Sequence, residues 1–183
     1  MIQLFDVQGA GSLEPLRASL LQMVAVRREL GSRGGLVETL KALAEVCLRL
    51  EDWPGAIAAA EELVALRAAD AEIWAGLGDA RLNVGYPAGA VEAYRQAVAL
   101  APREPMLRRN YADGLIRAGR LDEAARQLDV AAKLEPDAPL LALHRAELAK
   151  AHGDRVGTRR WAEEALRLQP RMKEALVLLQ EDV

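Results

Sequence analysis

Five acidic residues recur at one fixed interval. Glu45, Asp79, Asp113, Glu147 and Glu181 stand 34 residues apart throughout. Carboxylates brought to one wall at a regular step can hold a cationic side chain or accept hydrogen bonds from amide donors. Two of these rungs sit between cations. Lys41, Glu45 and Arg49 are spaced i, i+4, i+8, as are Arg109, Asp113 and Arg117. On a helix such pairs contribute about 0.2–0.5 kcal/mol each, so both rungs are expected to be neutralised locally. Asp79 and Glu147 lack that flanking pattern and are expected to be the freer binding groups.

No arrangement of residues matches a catalytic or cofactor-binding pattern. No P-loop lysine motif occurs, and Gly9-Ala10-Gly11 lacks both the third glycine and a preceding strand. The two histidines are His144 and His152; His144 and Glu147 lie i, i+3, but two ligands do not make a metal site. Cys47, beside Leu43 and Leu50, reads as a small buried hydrophobe rather than a nucleophile. All three serines (Ser12, Ser19, Ser32) precede residue 36, so no serine nucleophile is available beyond it. The expectation is a chain that is not an enzyme and needs no cofactor or metal.

Composition narrows the classes further. Of 183 residues, Ala (35) and Leu (30) make up about a third and aromatics only seven, which suits close-packed helices and disfavours a β-sandwich. A net charge of −3 argues against a generally basic nucleic-acid binder. The triplet Arg155, Arg159, Arg160 has no interleaved aromatic platform and reads as a solvated face or protein contact. No apolar run has the length of a membrane span, and MIQLFDVQGAG has no basic n-region or long apolar stretch. The lone cysteine fits a reducing compartment, so a cytoplasmic location is expected, with no membrane partner.

The same interval governs the apolar and turn residues. Leu66, Leu100, Leu134 and Leu168 form one column, Gly85, Gly119 and Gly153 a second, and Pro102, Pro136 and Pro170 a third. Four units follow: 37–70, 71–104, 105–138 and 139–172. Each reads as helix, turn, helix, the turn set by a glycine just past the first helix and the end by the proline. In the second unit, Trp74, Leu77, Gly78, Ala90, Tyr94, Ala97 and Pro102 resemble the tetratricopeptide repeat (TPR) signature, with Arg81 where that family usually has Tyr. The third matches through Tyr111, Ala112, Gly119, Ala124, Ala131 and Pro136. The first has Ala68 in place of the closing proline, and the fourth carries Arg145 and Arg159 at usually apolar positions. Trp53 is expected to pack at the first unit's turn, and Trp161 lies off the usual core column.

This resemblance implies an all-α fold, a right-handed α-solenoid of helix-turn-helix repeats. Residues 1–36 read as an N-terminal segment with a capping helix at about 13–30, N-capped by Ser12, followed by a Gly-rich linker at 31–35; the alternative for that helix is the second helix of a decayed repeat. Residues 173–183 read as a C-terminal capping helix, with Leu176 and Leu179 covering the fourth unit.

The resemblance also implies that the first helix of each unit lines a concave groove. Helical spacing then brings together Glu38, Lys41, Glu45, Leu48 and Arg49; Glu72, Ala75, Asp79, Leu82 and Asn83; Met106, Arg109, Asn110, Asp113, Ile116 and Arg117; and Leu140, Leu143, His144, Glu147 and Lys150. Packed helices lie about 8–10 Å apart, where two carboxylates in water repel by only about 0.4 kcal/mol, so the acidic ladder is tolerable. Met106, Leu140, Leu143 and Val177 could form an apolar patch or belong to the core. Many co-chaperone relatives hold a terminal carboxylate in a clamp of Lys and Asn side chains. Here Lys41 is in place, but Glu45 and Gly76 stand where asparagines would, and Met106 and Asn110 where Lys and Arg would. Carboxylates there would repel an anionic tail.

The units carry net charges of −4, −1, 0 and +3 in chain order, an asymmetry that would orient a partner and leaves room for a homo-oligomer. The expected function is a protein-protein interaction scaffold binding a partner's segment in the groove. The alternative is a secretion-type chaperone for an unfolded segment, dimerising through the N-terminal helix.

Overall fold

The structure, a computed structural model, describes residues 13–180. Ser12, the first eleven residues and Glu181, the ladder's fifth rung, lie outside that range. The described residues form ten helices: α1 (Leu13–Glu29), α2 (Arg33–Arg49), α3 (Trp53–Ala65), α4 (Ala71–Asn83), α5 (Pro87–Leu100), α6 (Pro105–Arg117), α7 (Leu121–Leu134), α8 (Pro139–Ala151), α9 (Arg155–Leu168) and α10 (Lys173–Gln180). They build an all-α helical-repeat solenoid.

Four antiparallel hairpins, α2–α3, α4–α5, α6–α7 and α8–α9, stack in chain order. Between hairpins, α2 touches α4, α4 touches α6, α6 touches α8 and α8 touches α10, whereas no comparable contact joins α3 to α5, α5 to α7 or α7 to α9. The first helices therefore stay together while the second helices splay apart, which makes the α2-α4-α6-α8 wall the inner side of the curve.

The turns follow backbone sterics. Gly85, Gly119 and Gly153 adopt φ of 76°, 72° and 75°, a left-handed conformation that glycine enters without penalty. The first hairpin puts Glu51 in the equivalent place, at φ 56°. Three hairpins end in a residue turned out of the helical region before proline: Ala101 (φ −132°), Glu135 (φ −146°) and Gln169 (φ −138°), as clash of the proline ring with a helical predecessor favours. The first hairpin, with Ala68 in that place, closes through Arg67 at φ 54°, and the Ala68 N–H bonds to the Leu63 carbonyl at 2.9 Å.

Both ends differ in detail from expectation. The Gly-rich linker is shorter, because α2 starts at Arg33 and includes Gly34 and Gly35. The Gly35 carbonyl accepts from the Arg27 guanidinium on α1 and from Thr39 Oγ1 one turn later in α2. At the other end α10 turns Ala175 and Leu178 inward and leaves Leu176 exposed, so Leu178 covers the fourth hairpin in place of Leu176. Trp161 is half-buried, with the guanidinium carbons of Arg145 and Arg160 4.7 and 4.9 Å from its ring centroid. Arg145 fills an apolar position by laying its delocalised face on the indole.

Tyr94 joins the second and third hairpins. It is fully buried, and its ring lies between two first helices. A methyl group at Gly78 on α4 would fall 2.6 Å from the ring, and one at Gly114 on α6 would fall 3.1 Å from it. The two glycines thus create the space that this side chain occupies.

Candidate functional site

The inner wall divides into two parts. At its front, α2 and α4 enclose a cleft of about 440 Å³ over a floor of Ala42, Leu48, Ile73, Gly76 and Leu77. Gly76 brings the two helices close, since a methyl group there would fall 2.7 Å from Leu48 Cδ1. Glu38, Glu45, Asp70 and Glu72 stand around the opening with one cation, Lys41. Lys41 Nζ bonds to Asp70 Oδ2 at 2.7 Å and not to Glu45, so the neutralisation expected along α2 occurs between hairpins instead. Asp70 also caps α4, accepting from the Ile73 N–H at 3.0 Å. An aspartate immediately before an amphipathic run is a readable cap signal, but its pairing with Lys41 depends on the stacking. Arg49 is exposed at the end of α2.

Behind the cleft the ladder runs through Asp79, Asp113 and Glu147. Asp79 is half-buried and accepts a hydrogen bond from the Tyr94 hydroxyl at 2.5 Å. Burial pushes its carboxyl up, the Tyr94 bond opposes this, and the Asp113 charge adds to the rise. Asp113 pairs with Arg117 Nε at 3.0 Å, the expected i, i+4 bond. Glu147 is pushed up to about 7, first by burial and then by Asp113, against the opposing pull of Arg117. Asp113 therefore acts on the rungs to either side of it.

Several sequence expectations for this wall need correction. Arg109 does not flank Asp113 in the groove; it is buried and pairs with Glu135 at the end of α7, and its Nε has no hydrogen-bond partner. Leu143 is also buried, in the core cluster with Ala142, Ala146 and Met172, because its side of α8 packs onto α9 and α10. Of the residues expected in the apolar patch, Met106, Leu140 and Val177 remain at the surface, each close to half-exposed. Asp79 is not a free carboxylate, since Tyr94 occupies it. Ala75 and Leu82, which share its helix face, are buried.

Asn83 donates to the Asp79 carbonyl at 2.9 Å, Asn110 is half-buried and Lys150 exposed. His144 is half-buried; burial pushes its pKa down, and its Nδ1 has no hydrogen-bond partner, which favours the neutral ring. Cys47 is buried and unpaired, its thiol pushed up to about 11 by burial and then by Asp52, so it stays protonated. Among the described residues no helix is long and apolar enough to cross a membrane.

The sequence matches the tetratricopeptide repeat family over residues 41–105 and again over residues 76–139, together more than half of the chain. The chain belongs to the tetratricopeptide repeat family. Solved TPR structures share the fold at low identity. YrrB, described as a TPR protein with an unusual peptide-binding site, is 19% identical with a TM-score of 0.75, covering 93% of this chain and 88% of that one. TTC0263, a thermophilic TPR protein of Thermus thermophilus, is 19% identical with a TM-score of 0.65, covering 91% and 98%. The first TPR of Spaghetti (RPAP3), bound to an HSP90 peptide, is 20% identical with a TM-score of 0.56, covering 62% and 90%. No curated protein sequence matches the chain.

Within the TPR frame, Arg81 replaces the signature tyrosine and works as a tie. Its guanidinium donates to the Gly89 carbonyl on α5 and to Glu61 on α3, both at 2.9 Å. Lys41, Glu45 and Gly76, three positions where a carboxylate clamp would sit, all line the front cleft.

Proposed function

We propose that this TPR protein is a non-catalytic scaffold that captures an extended or helical segment of a partner protein along its α2-α4-α6-α8 wall. The observation that carries this reading is the continuous run of first-helix contacts, which presents a preformed surface with a cleft at its front. A rigid wall loses little conformational freedom on binding, so affinity is not spent on ordering it. Peptide binding by the structurally similar RPAP3 and YrrB proteins supports the reading. The reading places the protein in the cytoplasm, in keeping with a buried, unpaired thiol.

The test is site-specific photo-crosslinking in the native lysate, with the crosslinker at Glu72 or Lys150 on the inner wall and at Arg95 on α5. Partner adducts are expected from the inner sites. Adducts formed solely at Arg95 would reject the inner wall as the capture surface.

A second reading, that of a secretion-type chaperone paired through α1, is favoured by one observation. Leu16, Ser19, Met23, Val26 and Leu30 are spaced at alternating steps of three and four, and their four apolar members are exposed. That is the spacing of a helix-pairing seam, and a second copy's α1 could cover it. Met23→Glu with Val26→Glu should convert a dimer to a monomer by light scattering. A wild-type chain that is monomeric at high concentration would exclude this pairing.

A further inference from the structure

We propose that the cleft between α2 and α4 anchors partner segments in which a lysine or arginine adjoins an apolar side chain. This rests on the inner wall being the capture surface and specifies what its front end selects. At about 440 Å³ the cleft is at the small end of ligand pockets. It therefore seats a few side chains of a segment rather than a whole folded element.

The floor and the rim ask for different chemistry. Leu48 and Ile73 offer apolar contact, and the backbone at Gly76 lets a side chain lie close to α4. Four carboxylates meet one ammonium around the opening. The ammonium, Lys41, is held by Asp70 and also lies in the field of Glu38 and Glu72. Glu38, Glu45 and Glu72 form no ion pair among the described residues. An arriving cation thus finds acceptors without breaking a bond, whereas an arriving carboxylate meets an ammonium already paired with Asp70 and faces three further negative charges. The first unit's net charge of −4 extends the same preference outward and favours encounter with a basic segment.

The probes are fluorescein-labelled peptides of about ten residues: one pairing Leu with Lys, one with Glu for each Lys, and one with Ser for each Leu. Binding is followed by anisotropy, and the site by amide chemical shifts of Ala42 and Gly76. The Leu-Lys peptide is expected to bind and shift both amides, and the Glu and Ser versions to bind about tenfold more weakly or worse. Raising salt to about 0.5 M should weaken the Leu-Lys complex. The exposed pair Glu45→Lys with Glu72→Lys should keep the wild-type circular dichroism and lose about tenfold in affinity for that peptide. Equal binding of the Glu peptide, equal binding of the Ser peptide, unchanged affinity in the double variant or no binding of the Leu-Lys peptide each overturns the proposal. If peptide binding fails while partner crosslinks still map to the inner wall, the scaffold reading survives alone. If crosslinks avoid the wall, both readings fail, even where the Leu-Lys peptide occupies the cleft.

Discussion

The Tyr94 hydroxyl on α5 donates to Asp79 Oδ1 on α4 at 2.5 Å, from a ring held between Gly78 and Gly114. A residue of the buried hairpin interface therefore controls a carboxylate of the inner wall. Tyr94→Phe keeps the ring and removes the donor, leaving a half-buried carboxylate short of a partner. A loss of about 1–2 kcal/mol is expected by urea denaturation at pH 8. Because the carboxyl would then rise further, the deficit should shrink as pH falls and Asp79 takes up a proton. A deficit that is the same at pH 8 and pH 4 would mean that lost packing, not the carboxylate, causes it.

Glu147 makes the stability of the rear wall pH-dependent. Burial, with Asp113 and Glu174 adding to it and Arg117 and Lys150 opposing, raises this carboxyl from 4.5 to about 7. Between those values the folded chain holds a proton that the unfolded chain releases, so this group's contribution to stability falls as pH rises through the window. Glu147→Gln should be more stable than wild type at pH 8, by up to about 3 kcal/mol. The advantage should vanish near pH 4.5. An equal gain at both pH values would show that shape rather than charge is responsible.

Glu51 occupies the left-handed turn position that glycine fills in the other three hairpins. Glu51→Gly should stabilise the chain by about 0.5–1 kcal/mol, since a side chain at positive φ crowds its own backbone. Gly85→Ala, the reverse change one unit later, should destabilise it. The paired thermal melts check both signs together.

Restoring the missing proline of the first unit should do harm. Ala68→Pro would remove the Ala68 N–H bond to Leu63 and place a proline after Arg67, which sits at φ 54°. A loss of about 1–3 kcal/mol is expected, although the change brings the unit closer to its neighbours' sequence. An increase in melting temperature would show that this turn rebuilds into the extended form of the other three.

The architecture is legible in the residue order alone. A 34-residue step in leucine, glycine and proline specifies hairpins of one size, because helix period, left-handed turns and pre-proline extension are all local effects. The same period correctly sets Lys41, Glu45, Asp113 and Glu147 on one set of helices, and Arg117 does bond Asp113 within one helix. Which of these groups stay available depends on the packing between hairpins. Lys41 goes to Asp70, Arg109 to Glu135 and Asp79 to Tyr94, and Leu143 goes into the core. Each of those three polar partners lies on a different helix or at its boundary, with no local spacing rule relating it to the group it binds. Helical periodicity gives the direction a side chain leaves its own helix, but its partner is set by how neighbouring hairpins stack, and that is a property of the assembled solenoid.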